Sequence, residues 1–227
     1  MKTENDNNLY TMLRSIKDPR RSQGRMHKIE VILLTSIMAV MNGAASICAI
    51  HDFAETNKKE LIKLFKLQKQ KRKIPSRETI SRLFSLISFE QLSLLFYEWA
   101  SSKIKIKKGD VLSLDGKAIR GTLENPNDSF QNFTSLVSVY VQKSKQILSL
   151  EKIESKKESE IPIVRKLIKM LDLEGVTFTM DSLHCQKETV KEIVKSKNNY
   201  IIQVKGNQPT LHDSVKKKLK QANQGIQ

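Results

Sequence analysis

Cysteine is almost absent, with Cys48 and Cys185 the only two in 227 residues. Two thiols so far apart build neither a disulfide framework nor a cysteine-based zinc site, and a reducing cytosolic setting fits. Histidine is nearly as scarce. His27, His51, His184 and His212 show no HExxH pattern and no paired spacing, which leaves a zinc hydrolase without ligands. The glycines of a nucleophile elbow are missing too, so Asp181, Ser182 and His184 on one short loop do not make a hydrolase triad, and Cys185 reads as a small buried side chain. Acid is also in short supply: 24 Asp and Glu stand against 40 Lys and Arg, a formal net charge of +16 and a pI near 9.8. Such a balance points to a polyanionic partner, nucleic acid first.

The positive charge is clustered, which a uniformly Lys-rich background would not produce. From Asn57 to Pro75 the segment NKKELIKLFKLQKQKRKIP holds eight basic residues and one acid, Glu60, while Lys216, Lys217, Lys218 and Lys220 crowd the C-terminal end. Charge is missing altogether from Val31 to Ile50, VILLTSIMAVMNGAASICAI, a run long enough on length alone to cross a bilayer. Asn42-Gly43 is a helix stop in its middle, Ser46 is a good N-cap for a second helix, and Ala, Ser, Thr and Asn dilute the hydropathy. The run therefore reads as two helices of a soluble domain, no membrane partner is expected, and the basic lead-in does not resemble a signal peptide.

Periodicity predicts helices alone over the first hundred residues: Lys28 to Met41, Ile47 to Glu55, Lys58 to Phe65, Arg77 to Ile87 and Phe89 to Ala100. Pro75-Ser76 opens one of them, and Ser88 with Gln91 has capping-box spacing ahead of an apolar face of Leu92, Leu95, Phe96 and Trp99. Ser101 to Gly109, SSKIKIKKG, reads as a Lys-rich linker or edge. Three β-type runs follow, VLSLDGK, FTSLVSVYVQ and QILSLEKI, in the manner of an antiparallel meander. A helix from Glu160 to Leu171, the strand VTFTMD, the helix QKETVKEIVKSK, the strand NYIIQVKG and a last helix from Pro209 complete the order β-β-β-α-β-α-β-α. The expected fold is α+β: an all-helical basic N-terminal domain, residues 1–105, then a mixed-sheet domain of RNase H-like element order, residues 106–227.

Two acids stand at matching places in that second domain. Asp115 is read as closing the first strand in VLSLDGKAIRG, with Gly116 turning the chain and Lys117 and Arg120 just beyond. Asp181 closes the fourth strand in TFTMDSLHCQ. Each alone is as well explained by a turn or an N-cap. First and fourth strands are neighbours in this topology, however, so the pair suits Mg²⁺, a hard ion that takes oxygen ligands, with Mn²⁺ as a possible substitute. Ions so held activate the attacking oxygen and steady the leaving one at a phosphodiester. Lys205 is read as ending the fifth strand, where it and the turn Gly206-Asn207-Gln208 would meet phosphate, or where the lysine is merely solvated. In the helical front the capped helix SRETISRLF, with Arg77 and Arg82, is the preferred nucleic-acid contact, and it equally fits an ordinary amphipathic helix packing Ile80, Leu83 and Phe84 inward.

These residues carry a resemblance. DPRRSQGRMHKIEVILL, IPSRETISRLF, LSLDGKAIRG, KKESEIP, VTFTMDSLHCQ and YIIQVKGNQ, in that order from about residue 10 to the end, resemble the H-repeat-associated transposases of bacterial insertion sequences, a branch of the DDE transposases. The resemblance implies an RNase H-like catalytic core, Mg²⁺ dependence, and DNA as partner, both element ends and target. It implies strand cleavage followed by attack of the freed 3′-hydroxyl, homo-oligomers assembled on DNA, and a cytoplasmic, nucleoid-associated protein. By that likeness Asp115 and Asp181 are the first two acids of the triad. The sequence departs from the family pattern at Ser135, where a His is common, and at Ser159, where an Asn is common. The third acid, a Glu on a helix beyond the KGNQ strand in the family, has no counterpart: no Glu follows Glu192, and the later acid Asp213 sits on a helix that begins too early. The expectation is an incomplete catalytic domain and a truncated copy with impaired catalysis. The competing readings are a non-catalytic DNA-binding protein that inhibits a full-length transposase, and a stand-alone RNase H-like nuclease.

Overall fold

Helix-breaking residues set the architecture of the first of two units, Met1–Trp99 and Ala100–Gln227. The computed structural model describes residues 8–67, 73–124, 132–153 and 160–224, with backbone alone for 118, 120–124, 132, 133, 223 and 224. The basic run from Asn57 to Pro75 and the KKESEIP segment therefore lie partly outside the described residues. Helices α1 (Leu9–Leu13), α2 (Ile29–Met41), α3 (Ile47–Thr56), α4 (Lys58–Leu64), α5 (Arg77–Leu86) and α6 (Phe89–Lys103) follow one another. The charge-free run is split between α2 and α3: Gly43 adopts a left-handed φ of 90°, where a glycine ends a helix at no steric cost. Ser46 restarts it by accepting the Ala49 N–H at 3.1 Å. Among the described residues no helix is long and apolar enough to cross a membrane.

Helix α2 is buried on most of its surface, from Ile29 to Ala39, and forms the centre of a core with Leu13, Ile16, Ile50, Ile80, Leu83 and Leu95. Ser76 and Ser88 accept the N–H groups of Thr79 and Gln91 and so cap α5 and α6. Helix α1 is invisible to periodicity, because five residues are too few to show a helical repeat. Helix α6 runs on to Lys103, so Ser101 to Lys103 of the expected linker are helical. No proline or glycine stops the chain before Gly109.

The second unit holds β1 (Val111–Glu124), β2 (Asn132–Val141), β3 (Gln146–Ile153), α7 (Glu160–Leu171), β4 (Thr177–Met180), α8 (Lys187–Lys195), β5 (Asn199–Ile202) and α9 (Pro209–Gln224). The sheet order is β3-β2-β1-β4-β5. Strand β2 is antiparallel to both of its neighbours, while β1, β4 and β5 run parallel. Amphipathic α7 turns Val164, Leu167, Ile168 and Leu171 onto the sheet, packing on β2, β3 and α8. Leu112, Leu114, Val137, Val139 and Phe178 line this face with almost no exposure. Burying a side chain of the size of Phe178 contributes about 1.5–3 kcal/mol.

Two local expectations are overturned. Asp115 does not end β1, and Gly116 does not turn the chain. Gly116, Lys117, Ala118 and Ile119 continue the ladder opposite Val137, Leu136, Ser135 and Thr134, since a long antiparallel partner satisfies their backbone groups. Lys205 does not end β5 either, which stops at Ile202. Its carbonyl instead accepts the Gln208 N–H at 3.0 Å, closing a turn ahead of α9.

Candidate functional site

Strand register decides whether the two aspartates meet. Ser113 stands opposite Thr179 in the parallel β1–β4 pair, and their hydroxyls share a hydrogen bond of 2.8 Å, so both point to one face. Side chains alternate along a strand, which puts Asp115 on that face as well. Asp181 has extended backbone, φ −75° and ψ −180°, and carries the alternation one step past Met180. The β1–β4 ladder ends at Ser113 and Thr179; continued by two positions, its register would set 115 opposite 181. This face lies opposite the one covered by α7.

Both carboxylates are exposed. Asp181 also caps the turn Ser182–His184, accepting the Leu183 N–H at 3.0 Å, so the bland N-cap reading of this residue is correct as far as it goes. Asp115 makes no ion pair with a described cation. Exposed carboxylates are oxygen donors of the kind a hard divalent ion takes, which suits Mg²⁺ with water completing its shell. The donor set thus fits such an ion. It is a set of two: among the described residues no three His, Cys, Asp or Glu side chains are grouped to hold a metal.

The structure brings in two residues that sequence reasoning did not join to this site. Glu160, first residue of α7, places one carboxylate oxygen 2.8 Å from His184 Nε2. His184 is 1% exposed, and the same nitrogen lies 4.0 Å from Asp181 Oδ1. The carboxylate of Glu160 occupies the notch left by Gly116: a Cβ there would come within 2.1 Å of it. Residues 116, 160 and 184 therefore lock together behind the acid pair. A buried imidazole beside two acids was the available signal, hidden because Glu160 and His184 are far apart in sequence.

The remaining candidates divide. Lys117 is exposed on the same face of β1 as Asp115, while the side chain of Arg120 lies outside the described residues. Lys205 is exposed in its loop. The amides of Asn207 and Gln208 donate to the carbonyls of Ser182 and Cys185 at 2.7 and 3.0 Å, tying that loop to the turn after Asp181. In the helical unit Arg77 donates to Asp52 at 2.9 Å, and this hydrogen bond holds the Asp52 carboxyl below its ordinary range. Arg82 is exposed and pairs with no described acid.

Strand order 3-2-1-4-5 with the second strand alone reversed defines an RNase H-like fold. Residues 106–226 match the family described as "Transposase DDE domain" and residues 10–100 match "DDE_Tnp_1-associated". The chain is 30% identical over 203 residues to the H repeat-associated putative transposase YbfD of Escherichia coli (strain K12), covering 89% of this chain and 78% of the relative. It is 31% identical to the putative transposase YncI of the same strain, covering 90% and 80%. It is 30% identical to an uncharacterized protein in the dhlA 3′ region of Xanthobacter autotrophicus, covering 88% and 66%. The chain spans between 50% and 80% of the length of these and other curated relatives. Among solved structures it is similar to a piggyBac transposase synaptic complex with hairpin DNA, with a TM-score of 0.46 and 11% identity over 90% of this chain and 53% of that one. The chain belongs to the DDE transposase family, with H repeat-associated transposases among its relatives.

Proposed function

We propose that the chain carries the metal-binding acid pair of a DNA strand-transfer enzyme, with Asp115 and Asp181 as its ligands. The observation that supports this reading is the β1–β4 register, which pairs Ser113 with Thr179 two residues ahead of the two acids and turns both hydroxyls to one sheet face. A bound Mg²⁺ or Mn²⁺ would polarise the phosphodiester and lower the pKa of its attacking water or hydroxyl. The chain's own residues do the rest. Asp115 and Asp181 would hold the ion, His184 and Glu160 fix the turn that carries Asp181, and Lys117 and Lys205 would attract the DNA backbone as point charges. Arg120, Asn207 and Gln208 belong to the same proposed DNA surface. Element ends and target DNA are the substrates, met by a homo-oligomer assembled on DNA in the nucleoid.

Two carboxylates hold an ion less firmly than three, so catalysis by this pair alone is impaired by several kcal/mol of transition-state stabilisation. The test is Mg²⁺-dependent nicking of DNA that carries terminal repeats. Little or no cleavage is expected; robust cleavage abolished by Asp115→Asn would show a complete site and overturn the impairment. A second reading, favoured by the net charge of +16, is a non-catalytic DNA-binding protein that competes with an active transposase. It predicts that adding the chain slows nicking by such an enzyme, and unchanged rates would exclude it.

A further inference from the structure

The segment DPRRSQGRMH, Asp18 to His27, has no part in the acid site, yet it is elaborately built. The Arg20 backbone N–H and Nε both donate to Asp18 Oδ1 at 3.0 Å, and Nη2 donates to Asp18 Oδ2 and to the His27 carbonyl at 2.7 Å. Arg25 closes the loop from outside, donating to the carbonyls of Arg20 and Asp18 at 2.7 and 2.9 Å. Two arginines and one acid thus hold the loop rigid through their own hydrogen bonds, several of them charge-assisted and strong for their kind. Arg21 is left exposed.

Between this loop and α5 lies a cleft of about 650 Å³, lined by Arg20, Arg21, Gln23, Thr79 and Arg82 among others, with no acid in its wall among the described residues. Neither Arg21 nor Arg82 forms an ion pair with a described acid, in contrast to Arg77, which is occupied by Asp52. Arg20 is 3% exposed, and its Nη1 is buried without an acceptor among the described residues. A buried unpaired guanidinium nitrogen in a native fold calls for a partner such as an ion or water. An anion in the cleft would supply acceptors to the exposed guanidinium groups of Arg21 and Arg82.

We infer that this cleft is a phosphate-binding site for the nucleic-acid backbone, an assignment that rests on the DNA-binding reading above and locates it on the helical unit. Guanidinium forks match phosphate oxygens in pairs, and a rigid loop presents Arg21 at little cost in side-chain ordering. Contacts of this kind position a protein on the duplex and carry no base preference.

The test measures binding of the full chain to a labelled duplex of arbitrary sequence by fluorescence anisotropy across a salt series. Replacing both arginines, Arg21→Gln with Arg82→Gln, is expected to weaken binding on the order of ten-fold at about 0.1 M salt. The slope of log affinity against log salt should fall by about 0.9 for each phosphate that is no longer neutralised. The double variant keeps the thermal stability of the parent, because neither side chain takes part in the hydrogen bonds that hold the loop, and Arg21→Lys with Arg82→Lys keeps most of the slope. Parent-like affinity and slope in the Gln variant would overturn the site while leaving DNA binding in place. A parent chain that fails to bind even at low salt would overturn both.

Discussion

Gly116 is the residue on which the arrangement behind the acid pair closes. Any side chain there meets the Glu160 carboxylate, whose nearest oxygen would lie 2.1 Å from a Cβ. That carboxylate is the end of a flexible side chain and can swing away, so the penalty is loss of its bond to His184 rather than backbone strain. Gly116→Ala should cost about 1–3 kcal/mol, the usual penalty for leaving a buried polar group unpaired. The same change in a Glu160→Ala background should cost little, and a double-mutant cycle by chemical denaturation reads the difference. Additive effects would show that 116 and 160 do not couple. Of this neighbourhood the strands that carry the two acids were legible in the sequence, as short apolar runs ahead of each. The Glu160–His184 contact was not, because nothing local to either residue reports a partner on another element. Gly116 misled for a local reason: glycine reads as a turn, and only pairing with Val137 shows that the strand continues.

Among the elements, the loop from Asp18 to His27 is one whose stability should respond to pH. Burial, and then the charge of Arg20, push the His27 imidazole below its ordinary value of 6.5. Burial alone would raise the Asp18 carboxyl, but the hydrogen bonds and charge of Arg20, with Arg25, outweigh it and hold the group below 3.8. A depressed His is protonated more readily in the unfolded chain, so its contribution is whole above pH 6.5 and is lost as pH falls below it. A depressed Asp contributes above its ordinary value and loses that contribution as pH falls through its lowered one. Both signs agree: Tm should decline on acidification from about pH 7 to about pH 5, and His27→Gln should flatten that first part of the decline. A Tm that rises over this range, or a His27→Gln profile parallel to the parent's, would contradict the account. Helices α3, α5 and α6 of the same unit were legible from caps and apolar spacing, as Ser46, Ser76 and Ser88 show, whereas α1, which precedes the loop, was not. The loop's internal hydrogen bonds were not, since Arg20 and Arg25 look in sequence like any other surface cations.

At the scale of the whole molecule, a net charge of +16 is shared between a helical unit and a mixed-sheet unit. The order of strands and helices made the sheet topology legible before any coordinates, because three consecutive strands followed by alternating helices and strands leave few unknotted arrangements. What the order did not convey was register, which pairs Ser113 with Thr179 and on which the proposed meeting of Asp115 and Asp181 rests. The most direct test is therefore titration of Mn²⁺ into the protein, followed by electron paramagnetic resonance, for the parent chain, Asp115→Asn and Asp181→Asn. The expected result is a bound-ion signal in the parent that each single substitution sharply weakens, with folding unchanged in both. Equal Mn²⁺ binding by all three would contradict it.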